Sequence, residues 1–71
     1  MIDELIAEIE RARQVGAVVV LKWDGERTSD IGTVIVSHQA SNFTFRRDTD
    51  DIFTGLSEGL AEFWATKRAA G

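Results

Sequence analysis

The chain reads as one α+β domain over residues 1–71, an α-β-β-β-α arrangement with a three-stranded antiparallel sheet and both helices on one face. Three observations predict it. Apolar residues recur at helical spacing at each end of the chain, short β-branched and aromatic runs lie between them, and glycine-containing or polar breaks separate those runs. There is no proline, internal repeat or low-complexity stretch to suggest a linker.

In the first helix, Ile2, Leu5, Ile6, Ile9 and Ala12 form an apolar stripe, with Asp3, Glu4, Glu8, Glu10, Arg11 and Arg13 on the other face. Acids early and arginines late suit the helix dipole, and Gly16 stands where a helix stop is expected. The run Ala17–Trp23 is β-branched and too short for a typical helix, so it reads as the first strand. A tight turn at Asp24-Gly25 would leave the apolar stretch Thr33 to Val36 beyond the end of its partner strand. A longer loop, Asp24 to Asp30, is therefore expected. The second strand follows at about Gly32 to Ser37, a turn at Gln39 to Asn42, and a short third strand at Phe43 to Arg46.

The last helix carries Ile52, Phe53, Leu56, Leu60, Phe63 and Trp64 at helical spacing. Asp48, Thr49, Asp50 and Asp51 precede it and can supply N-cap oxygens, and Lys67 and Arg68 close it. Gly55 and Gly59 lie on one stripe and together cost about 2 kcal/mol of helix propensity relative to alanine. Close packing against the first helix or the sheet is the expected reason for them.

Strand alternation predicts two unequal sheet faces. Val19, Leu21, Trp23, Val34, Val36, Phe43 and Phe45 are expected beneath the helices. Val18, Val20, Lys22, Thr33, Ile35, Ser37, Thr44 and Arg46 are expected on the open face, where Val18, Val20 and Ile35 make a small apolar patch suited to a dimer or partner contact.

Composition narrows the function. The chain is 44% hydrophobic and 28% charged, within the globular range. It has no cysteine for a disulfide framework or thiolate metal site. The acidic start Met1-Ile2-Asp3-Glu4 is unlike a secretory signal, and no apolar run reaches the roughly 18 residues of a membrane span, so a cytoplasmic protein is expected. Twelve acidic against eight basic residues give a net charge of −4, which opposes generic attraction to phosphate backbones or anionic membranes and favours a basic protein partner.

No constellation for catalysis is evident. The single histidine, His38, adjoins Ser37, but neighbouring strand residues point to opposite faces, so the two make no nucleophile–base pair; His38 is expected to be an ordinary surface or strand-end residue. Asp48, Asp50 and Asp51 lack the spacing, turn glycine and terminal glutamate of a calcium loop. Glu58 and Glu62, one helical turn apart, read as a solvated face. The expectation is a non-enzyme with no metal and no cofactor.

The α-β-β-β-α order resembles that of double-stranded RNA-binding domains across almost the whole chain. That family grips phosphates with lysines at the start of its last helix, where this chain has Asp48-Thr49-Asp50-Asp51, so direct nucleic-acid binding is not expected.

In size, acidity and lack of motifs the chain also resembles the small phage-encoded anti-CRISPR proteins. That resemblance implies a non-enzymatic inhibitor in the host cytoplasm that binds a CRISPR-Cas effector, in particular a type I surveillance complex, and blocks target DNA recognition. Asp48, Asp50, Asp51, Glu58 and Glu62 would offer one acidic surface to a basic groove, and Asp24, Glu26 and Asp30 a second on the long loop. The Val18, Val20 and Ile35 face is the alternative binding surface. It would equally serve a structural or assembly homodimer, the competing function; an atypical domain of the double-stranded RNA-binding kind is the third reading.

Overall fold

In the computed structural model, which describes residues 2–70 and the side chains of residues 3–68, the elements follow one another as α1 (Ile2–Gln14), β1 (Val18–Trp23), β2 (Gly32–His38), a single 3-10 turn (Gln39–Ser41), β3 (Phe43–Thr49) and α2 (Ile52–Ala70). The Ile2 side chain, expected on the stripe of α1, lies outside the described residues, as does the structure of Met1. The three strands form one antiparallel sheet in the order β1-β2-β3, and the helices pack against it.

Local chemistry sets the element ends. After Gln14, the Gly16 N–H donates to Arg13 O at 2.9 Å and the Ala17 N–H to Ala12 O at 3.0 Å, with Gly16 at φ 96. These paired bonds close α1 as a Schellman motif, which needs a left-handed residue that glycine adopts without Cβ strain. At α2, Asp51 caps the helix: its carboxylate accepts the Thr54 backbone N–H at 3.2 Å and the Thr54 hydroxyl at 2.7 Å.

The register pairs Val20 with Ile35, and Ile35 in turn with Arg46; it also pairs Val19 with Val36 and Val36 with Phe45. Alternation thus sorts the two faces as the sequence implies. Val34, Val36 and Phe45 are buried against Leu56, Leu60 and Phe63 of α2, while α1 contributes the fully buried Ala12. β3 runs on to Thr49, beyond the expected end at Arg46, because β2 continues beside it and pairs Val34 with Arg47, Thr33 with Asp48 and Gly32 with Thr49. Its charged residues are tolerated there because Arg46 and Asp48 point to the open face, while Arg47, on the helix side, lies over the Phe45 ring and pairs with Glu58 of α2.

Both helical glycines meet the sheet. A Cβ on Gly59 would stand 2.7 Å from Cδ1 of Phe45, and one on Gly55 3.2 Å from Cγ2 of Val34. Their missing side chains let α2 settle onto β2 and β3.

Four sequence expectations are corrected. Trp23 is 59% exposed rather than covered: it ends the edge strand opposite Gly32, whose face is occupied by Ile52. Ile6 is 59% exposed, because Leu5, Ile9 and Ala12 already define the inward arc of α1 and the next residue lies about 100° further round. Phe53, beside the buried Ile52, is 45% exposed for the same reason. His38, expected at the surface or at a strand end, does end β2 but is buried, 6% exposed and packed against Phe63 with ring centroids 5.2 Å apart. Trp64 is half-buried, its ring 4.9 Å from that of Phe63.

Candidate functional site

The helix layer leaves a groove of about 610 Å³ between the outer flanks of α1 and α2, lined by Glu4, Leu5 and Glu8 of α1 and by Asp51, Phe53, Thr54, Ser57 and Glu58 at the start of α2. Helical spacing builds both walls. Glu4 and Glu8 are one turn apart on α1, flanking Leu5, and Asp51 and Glu58 are two turns apart on the α2 side, with Phe53 between them. The lining holds four carboxylates, and no lysine or arginine among the described residues lines it. Counter-charges stand behind it: Arg11 lies 3.8 Å from Glu8, and Arg47 of β3 pairs with Glu58. Both Thr54 hydrogen bonds hold the Asp51 carboxyl below its ordinary range, so it stays ionised there.

The acidic residues singled out in the sequence divide among the groove, the open sheet face, the long loop and, for Glu62, an exposed position of α2 away from the groove lining. Asp51 and Glu58 reach the groove. Asp48 lies on the open sheet face, where it accepts a 2.8 Å hydrogen bond from Thr33 and has Arg46 at 3.6 Å and Arg27 at 3.9 Å. The Thr33 hydroxyl, with Arg46 behind it, lowers its pKa. Asp24 and Asp50 shape the long loop: Asp24 accepts the Glu26 N–H at 2.9 Å and pairs with Arg27 at 3.3 Å, and Asp50 accepts the Ile31 N–H at 3.3 Å. Glu26, Asp30 and Glu62 are exposed and form no ion pair among the described residues. The acids thus do not merge into one continuous surface. Glu4 and Glu8 are the groove residues that sequence reasoning missed; their i,i+4 spacing on the polar side of α1 was visible, but their position facing α2 was not.

The open face carries the expected apolar patch. Val18 is 56% and Val20 42% exposed, with Ile35 half-buried between them and Arg46. Thr33 on the same face is buried, since Asp48, Arg46 and Arg27 gather over it. The aliphatic patch is confined to the other end of the sheet.

His38 sits beside a smaller recess of about 380 Å³ that includes Gly16, Asn42 and Phe43. Its Nε2 lies 2.9 Å from Val15 O and its Nδ1 2.6 Å from Ser41 Oγ. A carbonyl oxygen can only accept, so Nε2 carries the proton and Nδ1 accepts from the serine hydroxyl. Both ring nitrogens are committed to the fold, which leaves no free base facing the recess.

Among the described residues no group of three or more His, Asp or Glu is placed to hold a metal ion, and no helix is long and apolar enough to cross a membrane. These features define an α+β domain with an acidic interhelical groove. Comparisons with protein-family models, with curated proteins and with solved structures found no match.

Proposed function

We propose that the protein is a non-enzymatic protein-binding module acting in the cytoplasm, which presents carboxylates to a basic partner surface. In its particular form, the partner is a CRISPR-Cas effector, a type I surveillance complex first of all, whose recognition of target DNA the protein blocks. The observation that carries the reading is the groove between α1 and α2, with four carboxylates and an exposed phenylalanine. A surface that grips DNA is rich in lysine and arginine, and carboxylates arrayed on a small rigid domain compete for it. A net charge of −4 adds long-range attraction to such a partner and repels nucleic acid itself. The capping carboxylate of Asp51 at the start of α2 likewise opposes phosphate binding in the manner of double-stranded RNA-binding domains.

The test is target-DNA binding by a purified type I surveillance complex, followed by gel mobility shift with and without the protein. Inhibition is expected, and it is expected to weaken with Glu4→Lys and Glu58→Lys together and at raised salt. Unimpaired DNA binding at saturating protein would sink this reading. The exposed Val18 and Val20 favour a second one, an assembly domain joined as a homodimer through the open sheet face. Sedimentation of the wild type and of Val20→Glu separates the two.

A further inference from the structure

We infer that the groove between α1 and α2 receives a cationic amphipathic helix of the partner, seated by an apolar stripe on Leu5 and Phe53 and held by lysine or arginine side chains on either flank. The inference rests on the protein-binding reading above and specifies its ligand. Two features of the groove act together. Phe53 is 45% exposed although it belongs to a helix with an otherwise well-buried apolar side, and Leu5 across from it is only half-buried, so an apolar floor remains partly open. Carboxylates border that floor on both walls, Glu4 and Glu8 on α1, Asp51 and Glu58 on α2.

An amphipathic helix matches this arrangement because its apolar stripe has polar flanks on both sides, and long basic side chains can lay their methylenes along the floor while their charges reach the rims. An extended strand turns alternate residues away from the floor and cannot serve both rims at once. Laid in the groove, such a helix would form a third member of the helix layer, a recurrent mode of peptide recognition. Charge complementarity decides the partner's sign: an acidic or neutral amphipathic helix would set its own flanks against four carboxylates.

The probe is a synthetic helical peptide of about five turns, with leucine on one stripe and lysine on both flanks, compared with an isomer of the same composition in scrambled order. Binding is read by fluorescence anisotropy and by amide shift changes in the intact protein. The expected result is association at or below about 1 mM, with shifts centred on Leu5, Glu8, Phe53 and Ser57. It should be weakened about tenfold or more by Phe53→Asp and abolished by Glu4→Lys with Glu8→Lys. Because Phe53 is so exposed, Phe53→Asp should retain the wild-type circular dichroism spectrum, which separates lost binding from lost fold. Equal binding of the scrambled isomer would overturn the inference, reducing the groove to diffuse charge. Shifts at Val18, Val20 and Ile35, or no shifts at all, would overturn it too. If the protein inhibits the effector complex yet fails this test, the groove inference falls and the broader function stands; if the complex is not inhibited but the peptide binds as described, the effector as partner falls, while the protein-binding reading and the groove inference stand.

Discussion

His38 and Val15, twenty-three positions apart, are joined by a 2.9 Å hydrogen bond from the imidazole Nε2 to the carbonyl that follows the last turn of α1. The bond ties the end of the first helix to the end of the central strand, and the ring also packs on Phe63 of α2. One side chain therefore touches three elements. Replacing it by alanine leaves the Val15 carbonyl without its partner, leaves the Ser41 hydroxyl only its 3.5 Å contact with the backbone carbonyl of position 38, and opens space beside Phe63. His38→Ala is expected to lower unfolding free energy by about 1–3 kcal/mol in urea titrations. A change within error would mean that water replaces both bonds.

Gly59→Ala tests the packing of α2 on the sheet. Alanine gains about 1 kcal/mol of helix propensity, but its Cβ would stand 2.7 Å from the Phe45 ring and 3.1 Å from Val36 Cγ2. Overpacking costs about 1–3 kcal/mol, so a net loss of stability is expected. Gly25→Ala, with nothing within 4 Å of its Cβ, serves as the control and should leave the melting temperature nearly unchanged. A stabilised Gly59→Ala would show that α2 stands further from β3 than described.

The acid limb of stability follows from three carboxylates. Thr33 and Arg46 lower the pKa of Asp48, Thr54 lowers that of Asp51 and Arg13 that of Glu10, from ordinary values of 3.8, 3.8 and 4.5. In the window just below those values the unfolded chain binds more protons than the folded one, so stability rises with pH there. The contribution of these groups is complete above about pH 4.5 and is lost as pH falls through the folded-state values. Asp48→Asn with Asp51→Asn should flatten this part of the stability curve, measured by thermal melts between pH 2 and pH 6. An unchanged slope would mean that both pairings are absent in solution.

On the open sheet face, Val20→Glu and Ile35→Glu should leave partner binding intact, because the groove that carries the proposed contact lies on the helix side. Loss of binding with a retained fold would move the interface to the sheet. Conversion of a sedimenting dimer to monomer would instead support the assembly reading.

Much of the fold was legible because local chemistry speaks for it. Helical spacing marked both helices, Gly16 marked the end of α1, and alternation in Val18–Trp23 and Gly32–His38 sorted the two sheet faces. The long loop was readable because a tight turn would have stranded the most apolar part of β2. Less of the site was readable. Asp51 and Glu58 were singled out, but for a common surface with Asp48, which the pleat sends to the opposite face of the sheet.

By itself the sequence determined which residues prefer helix or strand and which side of each element is apolar, since these depend on neighbours within a turn or a pleat. Only the tertiary structure decided that Glu4 and Glu8 face Asp51 and Glu58, that Trp23, Ile6 and Phe53 remain outside, and that His38 is drawn in. Those outcomes depend on the height and angle at which α2 settles on the sheet, fixed by Gly55, Gly59 and the side chains beneath them, and on how much of α1's inward arc the remaining space can take. Periodicity along one chain segment carries the direction of a side chain but not the distance to what lies opposite it.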